Sequence, residues 1–275
     1  MGLRINNNVA ALNSYNNLQR TDKAVSSSLE KLSSGYRINK AADDAAGLAV
    51  SEGLRAQISG LTVAARNAQD GANVVQTADG ALGEVSTMLR RIRDLAVQSA
   101  NGGSQDSTAQ AAAQAEVKDL LAEIDQIGST TKFGAKSLFS STDSVFQVGA
   151  NAGDVISFSI GSLSSASVGG SSISSVDIST TTGASSALST IDSAITALSS
   201  TRAALGAKQN RFEHAINNLN ISIENITASE SAIRDTDMAA EMTKFTKNQI
   251  LSQAGTSMLA QANSSTQNIL SLLRG

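Results

Sequence analysis

The chain has 275 residues, of which 41% are hydrophobic but only 3% aromatic, and it contains no tryptophan, proline or cysteine. Without cysteine there are no disulfides, thiolate nucleophiles or Cys-ligated metals. A net charge of −3 with a pI near 5.2 argues against a nucleic-acid partner. Length allows one to two domains. The small aliphatic residues suit extended helical seams better than a globular enzyme core, and the lack of proline leaves long helices uninterrupted.

Met1-Gly2-Leu3-Arg4-Ile5-Asn6 has neither an uninterrupted apolar run nor a small-residue cleavage site, so no cleavable secretory signal is expected. No window approaches 18 consecutive apolar residues, so no membrane insertion is expected either. Composition alone points to a cytoplasmic protein. Ile5, Val9, Leu12, Tyr15 and Leu18 form a first helical stripe, continued after a phase shift by Val25, Leu29 and Leu32. Ser33-Ser34-Gly35-Tyr36 interrupts it, and an Ala- and Asp-rich connector runs through Gly47. A second seam reads Leu54, Ile58, Leu61, Ala65, Ala68, Ala72, Val75, Leu82 and Leu89, ending at Asn101-Gly102-Gly103. Ser107 or Thr108 is expected to cap a third helix carrying Val117, Leu120, Leu121, Ile124 and Ile127, with Gly128 as its stop.

From residue 133 to 160 the pattern changes. Val145-Phe146-Gln147-Val148 and Val155 to Ile160 are β-formers around a Gly- and Asn-rich turn, which predicts a hairpin. Residues 161–187 are mostly Ser, Gly, Thr and Ala, and are expected to form a surface loop or weak hairpin outside the core.

Between Leu188 and Ile233 the chain steps 3, 4, 3, 4 without a slip. Leu188, Ile191, Ile195, Leu198, Leu205, Phe212, Ile216, Leu219, Ile223, Ile226 and Ile233 occupy 11 of the 14 positions. A sustained 3.5-residue repeat is the seam of a long coiled-coil helix, about 70 Å over this span. Its partners within the chain are expected to be the Leu54–Leu89 seam, with Leu54, Ile58 and Leu61 at its start, and the Val117–Ile127 helix. The polar seam positions Arg202, Gln209 and Glu230 either snorkel from its edge or fix its register. Asp235-Thr236-Asp237 marks a joint, after which a last helix carries Met238, Met242, Phe245, Leu251, Met258, Ile269, Leu272 and Leu273. The terminal stretches 1–32 and 238–275 have thin apolar stripes and bury too little to order alone. They form one predicted region and residues 33–237 the other, the latter including 161–187.

No constellation supplies a nucleophile with a base and an orienting partner, so no catalytic residue is expected. His214 is the one histidine, off the seam, and no metal or cofactor site is expected. Asp43-Asp44 reads as a capping pair, and Gly149 and Gly153 as turn glycines without the context of a phosphate loop. Asn220 and Asn225 match a glycosylation pattern inside a predicted helix. Arg90, Arg91 and Arg93 beside Asp94 read as a solvated face with local ion pairs.

Several blocks carry a resemblance. Leu3-Arg4-Ile5-Asn6 through Leu32-Ser33-Ser34-Gly35-Tyr36-Arg37-Ile38-Asn39, Asp43-Asp44-Ala45-Ala46-Gly47-Leu48-Ala49, Ala65 to Gly71 and Arg93 to Gly102 lie on one side. Leu205-Gly206-Ala207, Gln209-Asn210-Arg211-Phe212-Glu213, and Leu251-Ser252-Gln253-Ala254 to Arg274 lie on the other. Over about 1–160 and 188–275 the chain resembles bacterial flagellin, in a short form without the outer β-rich domains of larger members. The resemblance implies a mainly α fold: a long antiparallel coiled-coil-like helical bundle with a small β-hairpin, its terminal helices paired in the polymer. It also implies a self-assembling subunit of the flagellar filament, exported unfolded without a cleavable signal peptide, and working with an export chaperone, hook-filament junction and cap proteins. Arg91, Leu95 and Glu116 stand where the family meets a flagellin-sensing Toll-like receptor. The residues implied in filament assembly are those of the terminal stripes: Ile5, Val9, Leu12, Leu18, Val25, Leu29 and Leu32, with the eight of the last helix. The rival reading is a membrane-active, translocator-like amphipathic-helix protein. It needs Lys/Arg-rich polar faces, and the last 30 residues offer only Lys247 and Arg274.

Overall fold

The computed structural model describes the backbone of residues 7–140 and 143–274, and side chains as far as Ser265. Ile5 and the side chains of Ile269, Leu272 and Leu273 therefore lie outside the described residues. The elements in order are α1 (Val9–Ser34), α2 (Ala45–Ser99), α3 (Ser107–Thr130), β1 (Lys132–Phe133), β2 (Lys136–Ser137), β3 (Ser144–Gln147), β4 (Val155–Phe158), α4 (Thr181–Arg234) and α5 (Met238–Arg274). The fold is mainly α with a small antiparallel hairpin, as expected. Two compact units divide the chain: Met1–Ala56 with Asn225–Gly275, and Gln57–Glu224.

In the first unit, α1 and α5 pack against each other. Gly35 ends α1 in the left-handed conformation (φ 77°), its N–H donating to the Lys31 carbonyl at 2.9 Å. The connector after it is zipped to the α4–α5 joint. The Arg37 N–H donates to the Arg234 carbonyl at 2.7 Å, and the Thr236 N–H to that of Gly35 at 2.9 Å. The side chain of Arg234 is buried there, 2.8 Å from Glu52 and with its guanidinium 4.7 Å from the centre of the Tyr36 ring. Asp43 and Asp44 do the local work expected of them. The Asp43 carboxylate accepts from the Asn39 and Lys40 N–H groups, which holds it below the usual carboxylate range. Asp44 accepts from the Gly47 N–H at 2.9 Å and so starts α2 at Ala45, inside the expected connector.

In the second unit, α2 is buried along most of its length through Ala64, Ala68, Val75, Ala78, Leu82, Val85, Leu89 and Ile92. Of the expected α2 seam, Leu61 is buried while Leu54 (in the first unit) and Ile58 are half-buried. The cap of α3 is Asp106 rather than Ser107 or Thr108: its carboxylate accepts from the Ala109 N–H at 2.7 Å, a geometry open only to the residue before the first helical turn. Asp106→Ala should cost about 1 kcal/mol in thermal or urea unfolding, without altering helix content. Gly128 does not stop the helix, which continues to Thr130; a Cβ there would overlap the Leu163 carbonyl oxygen, so glycine serves a close approach. A tight β1–β2 ribbon turns at Gly134 (φ 61°).

The β3–β4 hairpin pairs Ser144 with Phe158 and Gln147 with Val155. Its inner face supplies Phe146 and Phe158, stacked with centroids 5.7 Å apart, and Phe212 of α4 meets both edge-on at 5.7 and 6.2 Å. Gly71 of α2 makes room for that ring.

Segment 161–187 departs from expectation. Leu163, Val168, Ile173, Val176, Ile178, Ala184 and Ala187 are buried, and α4 already begins at Thr181. The segment is fastened by side chains: Asp125 accepts from the Ser165 N–H and hydroxyl, and Gln114 donates to the Val176 carbonyl and accepts from the Ile178 N–H. Turns at Gly169 and Gly170 (φ 60° and 90°) return the chain between successive buried residues. It is a strap over the core, not a surface loop.

Candidate functional site

The α4 seam behaves as one surface. Ile191, Leu198, Leu205, Phe212 and Leu219 are buried, Leu188, Ile195, Ile216, Ile223, Ile226 and Ile233 half-buried, and none of the 14 positions is exposed. The polar positions differ among themselves. Arg202 reaches Asp79 of α2 through two bonds of 2.8 and 3.1 Å, whereas Gln209 bonds Glu213 one turn along its own helix. Arg202 is thus the polar seam residue that ties α4 to α2. Both partners are 40% exposed, so the pair contributes to register more than to stability.

The α1–α5 pair is organised differently. Its inward positions on α1 are Ala11, Ser14, Leu18, Thr21, Val25, Ser28 and Leu32, spaced 3, 4, 3, 4, 3, 4. Those on α5 are Glu241, Phe245, Asn248, Ser252, Gly255, Leu259 and Ala262, spaced 4, 3, 4, 3, 4, 3. Both are coiled-coil seams made largely of small and polar residues, which let the backbones approach closely. Polar bonds pin the antiparallel register along its length. Asn8 Nδ2 donates to the Ala262 carbonyl (2.9 Å), the Ser252 hydroxyl to Asp22 (2.8 Å), and the Ser28 hydroxyl to the buried Glu241 carboxylate (2.7 Å). Leu18 lies opposite Gly255, where a Cβ would stand 3.3 Å from Leu18 Cδ1.

The Ser28 hydroxyl and then the Lys244 ammonium hold the pKa of Glu241 below its ordinary value of 4.5, against the opposing effect of burial; Lys31 adds a smaller attraction. A depressed carboxylate contributes stability that is complete above its unfolded value and lost as pH falls through the folded one. Measured in a state where α1 and α5 are packed together, the stability difference between the native chain and Glu241→Gln should therefore shrink as pH drops below 4.5. A difference unchanged between neutral and strongly acid pH would contradict this.

With the seam polar, the large apolar side chains fall elsewhere. Val9, Leu12, Tyr15 and Leu29 of α1 are exposed, as are Met238, Met242, Ile250, Leu251 and Met258 of α5. Leu18, Val25, Leu32 and Phe245 are half-buried within the pair. The apparent phase shift near Leu18 is a change of face on one continuous helix: Val9, Leu12 and Tyr15 lie outside the seam, and Leu18 and Val25 inside it. Tyr15, an aromatic, and Ile250, off the expected stripe, join this exposed set.

Elsewhere, Arg91 pairs with Glu116 of α3 and Arg93 with Asp192 of α4, each at 2.7 Å. Leu95 is 3% exposed and belongs to the core, which removes it from the surface contact expected of it: α2 turns this position inward between Ile92 and Ala96, also buried. His214 is exposed on α4. Among the described residues no cluster of His, Cys, Asp and Glu could hold a metal ion, and no helix is long and apolar enough to cross a membrane.

Comparison with known proteins bears on this arrangement. Residues 5–144 match the bacterial flagellin N-terminal helical region, and residues 188–273 the C-terminal helical region. The chain is 47% identical to a flagellin of Bacillus subtilis (strain 168), over 99% of this chain and 100% of the relative. It is 42% identical to flagellin FlaB1 of Treponema pallidum (strain Nichols), over 98% and 99%. Among solved structures, Bacillus cereus flagellin superposes with a TM-score of 0.50 at 30% identity, covering 56% of this chain and 88% of that one. A putative flagellar hook-associated protein from Vibrio parahaemolyticus shares the fold, with a TM-score of 0.60 at 14% identity over 70% and 100%.

Proposed function

The chain belongs to the bacterial flagellin family, and from that premise we propose that α1 and α5, joined along their polar seam, polymerise through the apolar side chains they leave outside it. The protein is a structural subunit of the flagellar filament, outside the cell, and self-assembles into it. Nothing in the comparisons favours a membrane translocator. The observation carrying the finer reading is the exposure of Leu12 and Met258, each 61%, and of Met242 and Leu251 close to half, on helices whose paired face is already filled. Copies of the same chain offer the matching surface. The assembly residues are then Val9, Leu12, Leu29, Met238, Met242, Leu251 and Met258 outside the seam, and Leu18, Val25, Leu32 and Phe245 shaping it. Residues 1–32 with 238–275 form the region that packs in the polymer, and 33–237 the region around it.

Passage through the flagellar export channel as an unfolded chain, with an export chaperone before it and junction and cap proteins after it, suits this sequence. With no cysteine and no proline, refolding awaits neither disulfide formation nor prolyl isomerisation. A contact with a flagellin-sensing Toll-like receptor rests on the exposed Arg91 and the half-buried Glu116 alone.

Hydrogen exchange on monomer and filament tests the assembly reading. Amides of α1 and α5 are expected to exchange rapidly in the monomer and become protected in the polymer, while α2 is protected in both. Equal protection of α1 and α5 in the two states would overturn it.

A further inference from the structure

We propose that Asn101 is a site of spontaneous deamidation, at which the folded turn between α2 and α3 aligns the carboxamide for attack by the peptide nitrogen of Gly102. The chain contains one Asn-Gly pair, and it falls here, two residues beyond the end of α2. Asn101 is exposed. Its Oδ1 accepts from the Gly103 N–H at 3.3 Å, which folds the side chain forward over the intervening peptide and polarises the Cγ–Oδ1 bond. The Gly102 N–H is outside the i→i−4 ladder and donates instead to the Ala100 carbonyl at 3.1 Å. Glycine adds no Cβ to obstruct the ring closure. Asn67-Ala68 lies inside α2, where the helix holds the following amide in its ladder, and Asn151 is followed by Ala152, whose Cβ shields the nitrogen.

The chemistry needs only water. The Gly102 nitrogen gives up its proton to solvent base and attacks Cγ of Asn101. The new N–Cγ bond forms, the Cγ–Nδ2 bond breaks, and ammonia leaves. Water then opens the five-membered imide at either carbonyl, giving aspartate or isoaspartate. Both add a negative charge beside the C-terminal carbonyls of α2, where the helix dipole disfavours it. Isoaspartate also routes the backbone through the side-chain methylene. Gly102 lies close to Thr181, the first residue of α4, since a Cβ on it would stand 3.0 Å from the Thr181 hydroxyl. The longer backbone therefore pushes the α2–α3 turn off the start of α4, making this turn a place where an old subunit differs from a new one.

The full-length chain held at mildly alkaline pH, folded or in guanidinium chloride, and mapped by a fragmentation that separates aspartate from isoaspartate, tests this. The expected result is product at Asn101 ahead of every other asparagine, forming in the folded chain at least as fast as in the unfolded one, and lost in Gly102→Ala. Asn101→Gln, which preserves the amide but not the five-membered closure, should melt like the native chain and show no product at 101. Slower reaction at Asn101 in the folded chain than in the unfolded one, faster reaction at another asparagine, or undiminished product in Gly102→Ala would each overturn the proposal.

Discussion

Replacing Met242 and Leu251 together with aspartate should leave the subunit folded and stop filament growth. Both side chains are about half exposed in the isolated chain, at 49% and 47%, and neither position belongs to the inward set of α5. The monomer therefore loses little: surface substitutions away from buried features usually stay within about 0.5 kcal/mol. The two lie about 180° apart around α5, on opposite flanks of its inward stripe; in a polymer that covers both flanks, two carboxylates lose water without a partner, at several kcal/mol each. Even about 3 kcal/mol in total is a more than hundredfold rise in the concentration needed to polymerise. Circular dichroism should be unchanged while seeded growth, followed by sedimentation and electron microscopy, is abolished. Ser26 and Thr243 are exposed polar positions on the same two helices, and Ser26→Asp with Thr243→Asp separates a specific face from mere added charge. Normal filaments from Met242→Asp/Leu251→Asp would sink the assembly surface. Removing residues 1–32 or 238–275 should have the same outcome by a coarser route.

The contrast between α4 and the α1–α5 pair explains what could be read from sequence. Along α4 the seam is written in Leu, Ile and Phe, so a period of 3.5 residues stands out, and none of its positions proved exposed. Along α1 and α5 the period is equally regular, but Ala, Ser, Thr, Asn and Gly hold many of the positions. A reading that follows large apolar residues instead finds Val9, Leu12, Leu29, Met238, Met242, Leu251 and Met258, the face outside the seam. The same criterion also selects Leu18, Val25, Leu32 and Phe245, which lie half-buried inside the pair, so side-chain size alone does not separate the two faces. What it missed was the buried Glu241. A charged residue in register with Phe245 and Leu259 was the available clue, since a polar residue at a seam position fixes register at a cost in stability.

Composition misled in a second way. Averaged over 161–187, Ser, Gly and Thr hide Leu163, Val168, Ile173, Val176 and Ile178, whose irregular spacing matches neither a helix nor a strand. A strap made of turns has no period to detect, and its anchors, Gln114 and Asp125, sit far away on α3. The reverse error holds for Leu95. A matching position in a motif carries no information about which way the helix turns it, and here α2 turns it inward.

Phe212 offers the sharpest test of how the hairpin is held. Its ring is fully buried, edge-on to Phe146 and Phe158, so Phe212→Ala removes one of three interlocked rings and should cost about 3–5 kcal/mol. For a unit of this size that lowers the melting temperature by roughly 10 °C. Gly71 supplies the mechanism check. A Cβ on it would stand 2.6 Å from the Phe212 ring, with the ring wedged against α2. Gly71→Ala alone should destabilise by about 1–3 kcal/mol through overpacking, despite the roughly 1 kcal/mol that alanine gains over glycine in a helix interior. In the Phe212→Ala background the clash is gone and the vacated space accepts the methyl group, so the same substitution should become neutral or stabilising. The double-mutant cycle then shows a coupling of about 1–3 kcal/mol. Additive costs would mean that the ring does not press on α2 at Gly71, and that the hairpin is held by Phe146 and Phe158 without help from the glycine.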